Sequence, residues 1–514
     1  MTTTPTTPPT VVSRDPVSGE VWAEFPSANE ERVGKVVEET RKAASSWKNR
    51  PLAERRAVLA RFRRIVVERR TAIADVISRE TGKSTTEAFF EIFGTAELAR
   101  YYAKISPRIL KARTRRSSNL AVWRKRIRTV PEPYGVIAAI TPWNYPFFLA
   151  SGLVIPALVS GNGFILKPSE LTPSCGELIR DLMIESGIPE SVLQVVQGTG
   201  STGSALIESG IDKVFFVGSQ ATGRKVAAKA SETMTPYVLE LGGSDPAIVL
   251  DDAHLPTAAS GIAWGRFANA GQTCVAPKRI FVVESVFDEF LGHLKKVVQK
   301  IEAEARDEIG PVITPDQRAL LDEQLDDAVE LGARVAAGST TASDETRFSP
   351  VVLVGVRPGM RVLDEETFGP ILPVVSVRDE QDAIERANAT QFGLSASIWS
   401  RDVERATRIA QRIDAGSVTI NDSVVVALLA DISYGGVKSS GTGRTHGEDG
   451  LRECIRSRSI VIDRFARFRE TYWHYYKTDA RRGFEEFLIF AHGRGLLRRI
   501  VAAIRTVWLL YLKR

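Results

Sequence analysis

The chain has 514 residues, 43% hydrophobic and 25% charged, which excludes a disordered, collagen-like or disulfide-stapled protein and makes room for three to four structural units. The net charge of +6 is uneven: Phe465–Arg514 carries eleven Lys and Arg against four acids, or +7, leaving −1 for the rest. A neutral body argues against a nucleic-acid-binding protein, and three cysteines (Cys175, Cys274, Cys454) fit free thiols in a reducing compartment better than a bridge framework.

The first residues, MTTTPTTPPTVVSRDP, have neither an apolar run nor a basic start, so no secretory signal is expected. From Glu30 to Ala103 apolar residues recur at helical spacing, as at Ala57, Leu59, Ala60 and Phe62. Arg108 to Arg128 is strongly basic and broken by Ser117-Ser118, which reads as an arm or hairpin. Short apolar runs then alternate with helical stretches: VIAAI (136–140), FILK (164–167), LQVVQ (193–197), VFFV (214–217), VLEL (238–241) and AIVL (247–250). A second block runs from RIFVVE (279–284) through VVLV (351–354), PVVSV (373–377) and SASIW (395–399) to SVTI (417–420), with a helical pattern over 402–413. Strands spaced by helices imply an α/β fold with mainly parallel sheets, and two such blocks imply a cleft where they meet. No ordinary membrane span is expected.

Several residues stand out chemically, each with a plainer reading beside it. GTGSTG (Gly198–Gly203) is a literal G-x-G-x-x-G after a strand, yet no acid follows about 20 residues on. The plainer reading is a tight turn. VFFVGSQATG (Val214–Gly223) also runs strand, turn, helix, where Ser219 and helix N–H groups suit a pyrophosphate. Cys274 in NAGQTC is a nucleophile or a small core residue. Glu240 in the apolar VLELGG is a costly carboxylate, functional or paired. Asn144 in TPWNYPF follows a strand end, where open α/β sheets carry their sites, or else makes an Asx turn before Pro146.

Six segments in order, TPWNYPF, LKPSE, FVGSQATG, LELGG, GQTC and EETFGP, resemble the aldehyde dehydrogenase superfamily from about Val17 to Ile462. The resemblance implies a Rossmann-like cofactor domain (1–108 and 131–241), a catalytic domain (242–454) and a β-arm (109–130 and 455–465) that bridges subunits of a homodimer or homotetramer. It implies Cys274 as nucleophile, Asn144 in the oxyanion hole and Glu240 as the base that hydrolyses a thioester. It also implies cofactor contacts at Trp143, Lys167, Glu170, Gly218, Ser219, Gly223, Leu241, Glu366 and Phe368. A carboxylate at Glu170 favours NAD over NADP. No metal is required, and the five histidines form no ligand cluster. Departures are Val217 where the family has Thr, Leu153 where many relatives carry Lys, and a shortened Ala305–Pro311. They point to the fatty-aldehyde and semialdehyde branches.

Eleven of the 40 aromatics fall in Phe465–Arg514. Rings interleaved with cations suit an anionic membrane surface, and Leu496–Leu512 reads as an interfacial helix whose arginines oppose spanning. A helix packed on a partner subunit is the other reading. The expectation is thus a cytoplasmic enzyme, peripheral at a membrane, oxidising a medium or long apolar aldehyde. Succinic semialdehyde is the alternative substrate, and a catalytically silent scaffold the rival class. Leu153, Phe147 and Phe148 are expected to favour the apolar substrate.

Overall fold

Two parallel sheets account for the alternating apolar runs. The computed structural model describes residues 9–304, 308–339, 346–464, 473 and 478–509. They divide into one unit of Met1–Ile109 with Pro133–Arg456 and a second of Leu110–Glu132 with Ser457–Arg514.

In the first unit, one sheet has the order Gly441–Thr442, Tyr237–Glu240, Lys213–Val217, Val136–Ile140, Gly163–Lys167, Leu193–Val195. All neighbours are parallel except the two-residue edge Gly441–Thr442. Val136–Ala139 and Phe164–Leu166 are buried on both faces, as a helix-covered parallel sheet requires. Connections diverge between Val136–Ile140 and Lys213–Val217, so the loops after Ile140 and Val217 open a crevice at the carboxyl ends of these strands.

The second sheet has the order Arg334–Gly338, Val351–Val354, Ile371–Val377, Pro277–Val283, Asp245–Val249, Ser395–Trp399, Ser417–Ile420, antiparallel only between its first two strands. The run AIVL, grouped by its spacing with the first block, belongs here. Leu241–Ser244 carries the chain from one sheet into the other. The edge Gly441–Thr442 crosses the other way: it lies within the stretch expected to be catalytic yet pairs with Tyr237–Glu240.

Four helices, Glu30–Trp47, Leu52–Glu68, Arg70–Thr81 and Thr85–Ile109, fill the expected N-terminal helical region. The GTGSTG run opens the helix Gly200–Glu208. The expected helix over 402–413 is Val403–Ala410, capped by the Asp402 carboxylate, which accepts from Arg405 N–H at 2.8 Å.

One buried ion pair connects this helical layer to the crevice. Lys83 lies between helices Arg70–Thr81 and Thr85–Ile109, and its Nζ donates to Glu91 Oε1 at 2.7 Å and to the Asn144 carbonyl at 2.7 Å. Both side chains are fully shielded from solvent. The other Glu91 oxygen accepts from the N–H groups of Phe147 and Phe148 at 3.0 and 3.1 Å, meeting two of the unpaired donors at the start of helix Pro146–Ser160. The ammonium also sits 4.1 Å from the centre of the Tyr145 ring.

In the second unit a three-stranded sheet has the order Ile455–Asp463, Lys125–Pro133, Arg113–Arg116, the last two antiparallel. Helices Thr478–His492 and Leu496–Val507 pack on one another, with Gly495 at φ +86° in the turn. Arg499 Nε donates to the Phe490 carbonyl at 2.8 Å, and Ala480, Ala502 and Thr506 are buried. Leu496, Leu497, Ile500, Val501 and Ile504 are exposed. Among the described residues, no helix is long and apolar enough to cross a membrane. The tail aromatics Phe465, Phe468, Tyr472, Tyr475, Tyr476 and Tyr511 lie outside the described residues, as do Ala305–Asp307 of the shortened stretch.

Lys83→Met leaves Glu91 as a buried carboxylate without its counter-charge. We expect a loss of about 3–5 kcal/mol, measured as a lower urea midpoint at unchanged slope. A midpoint within error of the parent's would show that the pair does not anchor this layer.

Candidate active site

The crevice contains a cavity of about 320 Å³ lined by Asn144, Glu240 and Cys274, with Trp143, Gly218, Ser219, Leu241, Glu366 and Phe368 around it. Nine of the residues expected from sequence therefore meet in one place. Lys167, Glu170 and Gly223 do not line it. Lys167 ends the strand next to Val136–Ile140 and pairs with Glu170 at 3.2 Å. Gly223 lies in helix Gln220–Glu232, where a Cβ would come within 2.5 Å of Leu241 Cδ2, so its role here is close packing.

Asn144 and Cys274 are held by each other's loops. Asn269 and Ala270 both have φ of 53° and Gly271 has φ +74°, a left-handed run uncommon outside glycine. It is fixed by Asn269 Nδ2, which donates to the Asn144 carbonyl at 3.0 Å, and by Gln272, whose amide bonds the Asn269 and Pro311 carbonyls and the Ile313 N–H. A Cβ on Gly271 would collide with the backbone of Gly369. In return, Asn144 Nδ2 donates one hydrogen to the Gln272 carbonyl at 3.0 Å, which leaves its second N–H available. Tyr145 Oη and Thr273 Oγ1 bond at 2.7 Å across the same seam.

Cys274 is half-buried and its thiol is pushed up to about 11 by burial. A hydrogen bond with Tyr434 and the charge of Lys278 oppose this rise, while Asp245 and Glu366 add to it. Lys278 directs its ammonium to the Thr273 and Cys274 carbonyls, at 3.0 and 2.7 Å, and to Glu366 at 3.4 Å. Glu240 is buried, and neither carboxylate oxygen has a hydrogen-bond partner among the described residues. Burial holds its carboxyl well above the usual range, with the charge of Arg444 and the nearby Thr445 hydroxyl and Gly436 N–H partly offsetting. A buried carboxylate facing a cavity and held by no close hydrogen bond is equipped to take a proton from water.

The remaining lining fits a dinucleotide. Ser219 caps the helix Gln220–Glu232, accepting from Thr222 N–H, and presents a helix N-terminus to the cavity beside Gly218. A Cβ on Gly242 would collide with the Glu366 carboxylate, so LELGG leaves that acid its room. Glu366 accepts from Gly243 N–H at 3.1 Å, and the Phe368 ring meets Trp143 edge-on at 5.7 Å. Among the described residues no cluster of His, Cys, Asp or Glu could hold a metal.

A second cavity, about 70 Å³, adjoins the first at Leu149, Cys274, Tyr434 and His446. Its wall includes Phe148, Trp264, Val275, Val424 and Leu428, with Glu87 and Glu91 its acids and no lysine or arginine. Phe90 and Trp264 meet edge-to-face at 6.3 Å and are both more than a third exposed, leading the apolar lining outward. Leu153 lines the larger cavity, Phe148 the smaller. Phe147, expected to do the same, is fully buried and lines neither.

Tyr434 and His446 escaped the sequence reading. The signal was there: the glycine-rich SYGGVKSSGTGRTHG (433–447) follows the last strand of the second block, and its one buried aromatic is Tyr434.

Comparison with known proteins agrees with this geometry. A model of the aldehyde dehydrogenase family matches residues 3–460. A 4,4'-diapolycopene aldehyde oxidase of Methylomonas is 37% identical over 487 residues, 94% of this chain and 92% of that protein. A succinate-semialdehyde dehydrogenase [NADP(+)] of Deinococcus radiodurans is 34% identical over 87% of this chain and 93% of its own length. Betaine aldehyde dehydrogenase of Staphylococcus aureus, solved in complex with NAD+, superposes with a TM-score of 0.83 at 31% identity, covering 88% of this chain and 92% of that one. The chain belongs to the aldehyde dehydrogenase family and is an oxidoreductase that acts on aldehydes with NAD or NADP.

Proposed function

We propose that this chain oxidises a medium or long apolar aldehyde to its carboxylic acid, with Cys274 as nucleophile, Asn144 as oxyanion donor and Glu240 as hydrolytic base. The observation that carries the reading is the apolar cavity beside Cys274. A carboxylated aldehyde entering it finds no lysine or arginine in the lining to pair with, whereas each buried methylene contributes about 0.8 kcal/mol. The Methylomonas relative, named for a diapolycopene aldehyde, points the same way. The Deinococcus relative's name favours succinic semialdehyde, which is the second reading.

The chain's residues divide the work by position. The Cys274 thiolate adds to the aldehyde carbon, and the free Asn144 amide N–H with the Cys274 N–H meets the negative oxygen. A nicotinamide cofactor, when bound, supplies the hydride acceptor. Gly218, Ser219, Glu366 and Phe368 would hold it, with Trp143 and Leu241 against it, Gly223 behind the turn, and Lys167 with Glu170 toward its ribose. A carboxylate at Glu170 accepts ribose hydroxyls and repels a 2′-phosphate, which favours NAD. Glu240 then draws a proton from water, and the resulting hydroxide releases the acid from the Cys274 thioester.

The expected division into cofactor domain (1–108 and 131–241), catalytic domain (242–454) and arm (109–130 and 455–465) is kept as the functional reading. Arg113–Arg116 is an edge strand, and an edge with free backbone groups suits pairing with another copy in a homo-oligomer. For the tail (466–514) we favour an anionic membrane surface. The exposed Leu497, Ile500 and Ile504 share helix Leu496–Val507 with Arg498, Arg499 and Arg505, the composition of an interfacial helix.

Three measurements test this. Glu240→Gln should release one NADH per site in a burst and then turn over roughly 10²–10⁴-fold more slowly, while Cys274→Ala gives no burst yet still binds NAD; steady parent-like turnover by Glu240→Gln would assign the base elsewhere. Across linear aldehydes, KM should fall about fourfold per added methylene until the cavity is filled, and kcat/KM for succinic semialdehyde should lie well below that for decanal. The reverse order would favour the second reading. Leu497→Glu with Ile504→Glu should weaken binding to phosphatidylserine vesicles roughly tenfold or more without changing turnover of a short aldehyde. Undiminished binding would remove the membrane role.

A further inference from the structure

The geometry points to Tyr434 as a catalytic hydrogen-bond donor that stabilises the Cys274 thiolate, a role that rests on Cys274 being the nucleophile. Its Oη lies 3.5 Å from Cys274 Sγ, and this is its hydrogen-bond contact among the described residues. The hydroxyl sits where the two cavities meet, so it faces the same space as the incoming aldehyde carbon.

The other polar groups around the sulfur do not donate a hydrogen bond to it, and Lys278 favours the thiolate through its charge alone. Lys278, from the strand Pro277–Val283, directs its ammonium to backbone carbonyls and Glu366. Asp245, from the neighbouring strand, is hydrogen-bonded to Ser395 and repels a thiolate, as does Glu366. Glu240 and Glu87, which also line the cavities, add the same sign of charge, and Glu91 is paired with Lys83. Tyr145 gives its hydroxyl to Thr273. His446 is kept neutral by burial, its value lowered to about 4. Burial also holds Tyr434 well above the usual phenol value, so it remains an O–H donor when the sulfur is ionised.

Tyr434 is also fixed in place. Its N–H and carbonyl pair with Thr445 at 2.9 and 2.7 Å, and its ring lies against the His446 imidazole, 5.4 Å between centres at 32°. Gly435 follows at φ +154°, where a Cβ would come within 2.8 Å of Glu240 Oε1. The Glu240 carboxylate thus lies against the residue that follows the donor, and little conformational freedom is lost when the thiolate forms.

The test is the pH dependence of Cys274 alkylation by iodoacetamide in the full chain, with the modified residue located by mass spectrometry. In Tyr434→Phe the profile should move to higher pH and the rate at pH 7 should fall roughly tenfold. Placing 3-fluorotyrosine at position 434, a stronger donor of nearly the same shape, should move it to lower pH. A tyrosine that only walls the cavity would change KM for the aldehyde and leave both profiles on the parent's, which would overturn the inference. Full aldehyde oxidation by protein alkylated at Cys274 would instead overturn the nucleophile assignment, and the inference with it.

Discussion

A cation with no water around it must be given a complete set of partners, and Lys83 obtains its set from the parts of the chain that build the site. Glu91 neutralises it, the Asn144 carbonyl accepts from it and the Tyr145 ring lies against it. Glu91 has one oxygen left and uses it on the first N–H groups of helix Pro146–Ser160. The two side chains therefore set both the height of the Asn144 loop and the direction of the helix that follows. Such a pair contributes little net stability compared with apolar residues of the same size, because desolvation consumes most of the Coulombic gain. What it provides is position: the pair meets its own hydrogen-bonding needs with the loop and helix held in this arrangement.

From that anchor the geometry passes to the nucleophile loop through backbone carbonyls. The Asn144 carbonyl accepts from both Lys83 and Asn269, and the Asn144 amide donates to the Gln272 carbonyl. Left-handed Asn269, Ala270 and Gly271 then have a reason to persist, since relaxing them would strand these donors. The second sheet closes the arrangement, because Gly271 packs on Gly369 with no space for a methyl group. One polar chain thus runs from the helical layer through the first sheet's crevice to the start of strand Pro277–Val283.

How much of this was legible in the sequence depended on whether the signal was local. Apolar runs such as VIAAI and SASIW became strands at their expected residues, since a strand buried on both faces needs an uninterrupted apolar stretch. Cys274, Glu240 and Asn144 stood out because each is costly or reactive in its own short context. Sheet membership is not local, and it was misjudged for AIVL: four residues suffice to change sheets, and neither run records its partner. The direction of a side chain was equally hidden, so Phe147 and Phe148 read alike although only Phe148 reaches a cavity. Tyr434 was missed for a third reason. Its partner is 160 residues away, and nothing near it in the chain distinguishes a hydroxyl on sulfur from an aromatic wall.

The apolar surroundings that suit a long aldehyde also set the acid–base problem at the site. Burial raises the Cys274 thiol and the Glu240 carboxyl together, and each would repel the other's charge once ionised. The nearby cations do not relieve this directly, because Lys278 and Arg444 are both directed to backbone carbonyls. Burial therefore opposes ionisation of both groups, and neutral donors placed where charge will appear support it. The free N–H of Asn144 stands ready for an oxyanion, and the hydroxyl of Tyr434 lies against the sulfur. Neutral donors cost less to bury than a permanent cation and leave the cavity wall apolar between turnovers. A wall that accepts hydrocarbon and a nucleophile that must ionise are compatible because the groups placed to donate to the sulfur and the oxyanion are dipoles, with Lys278 and Arg444 contributing through charge alone.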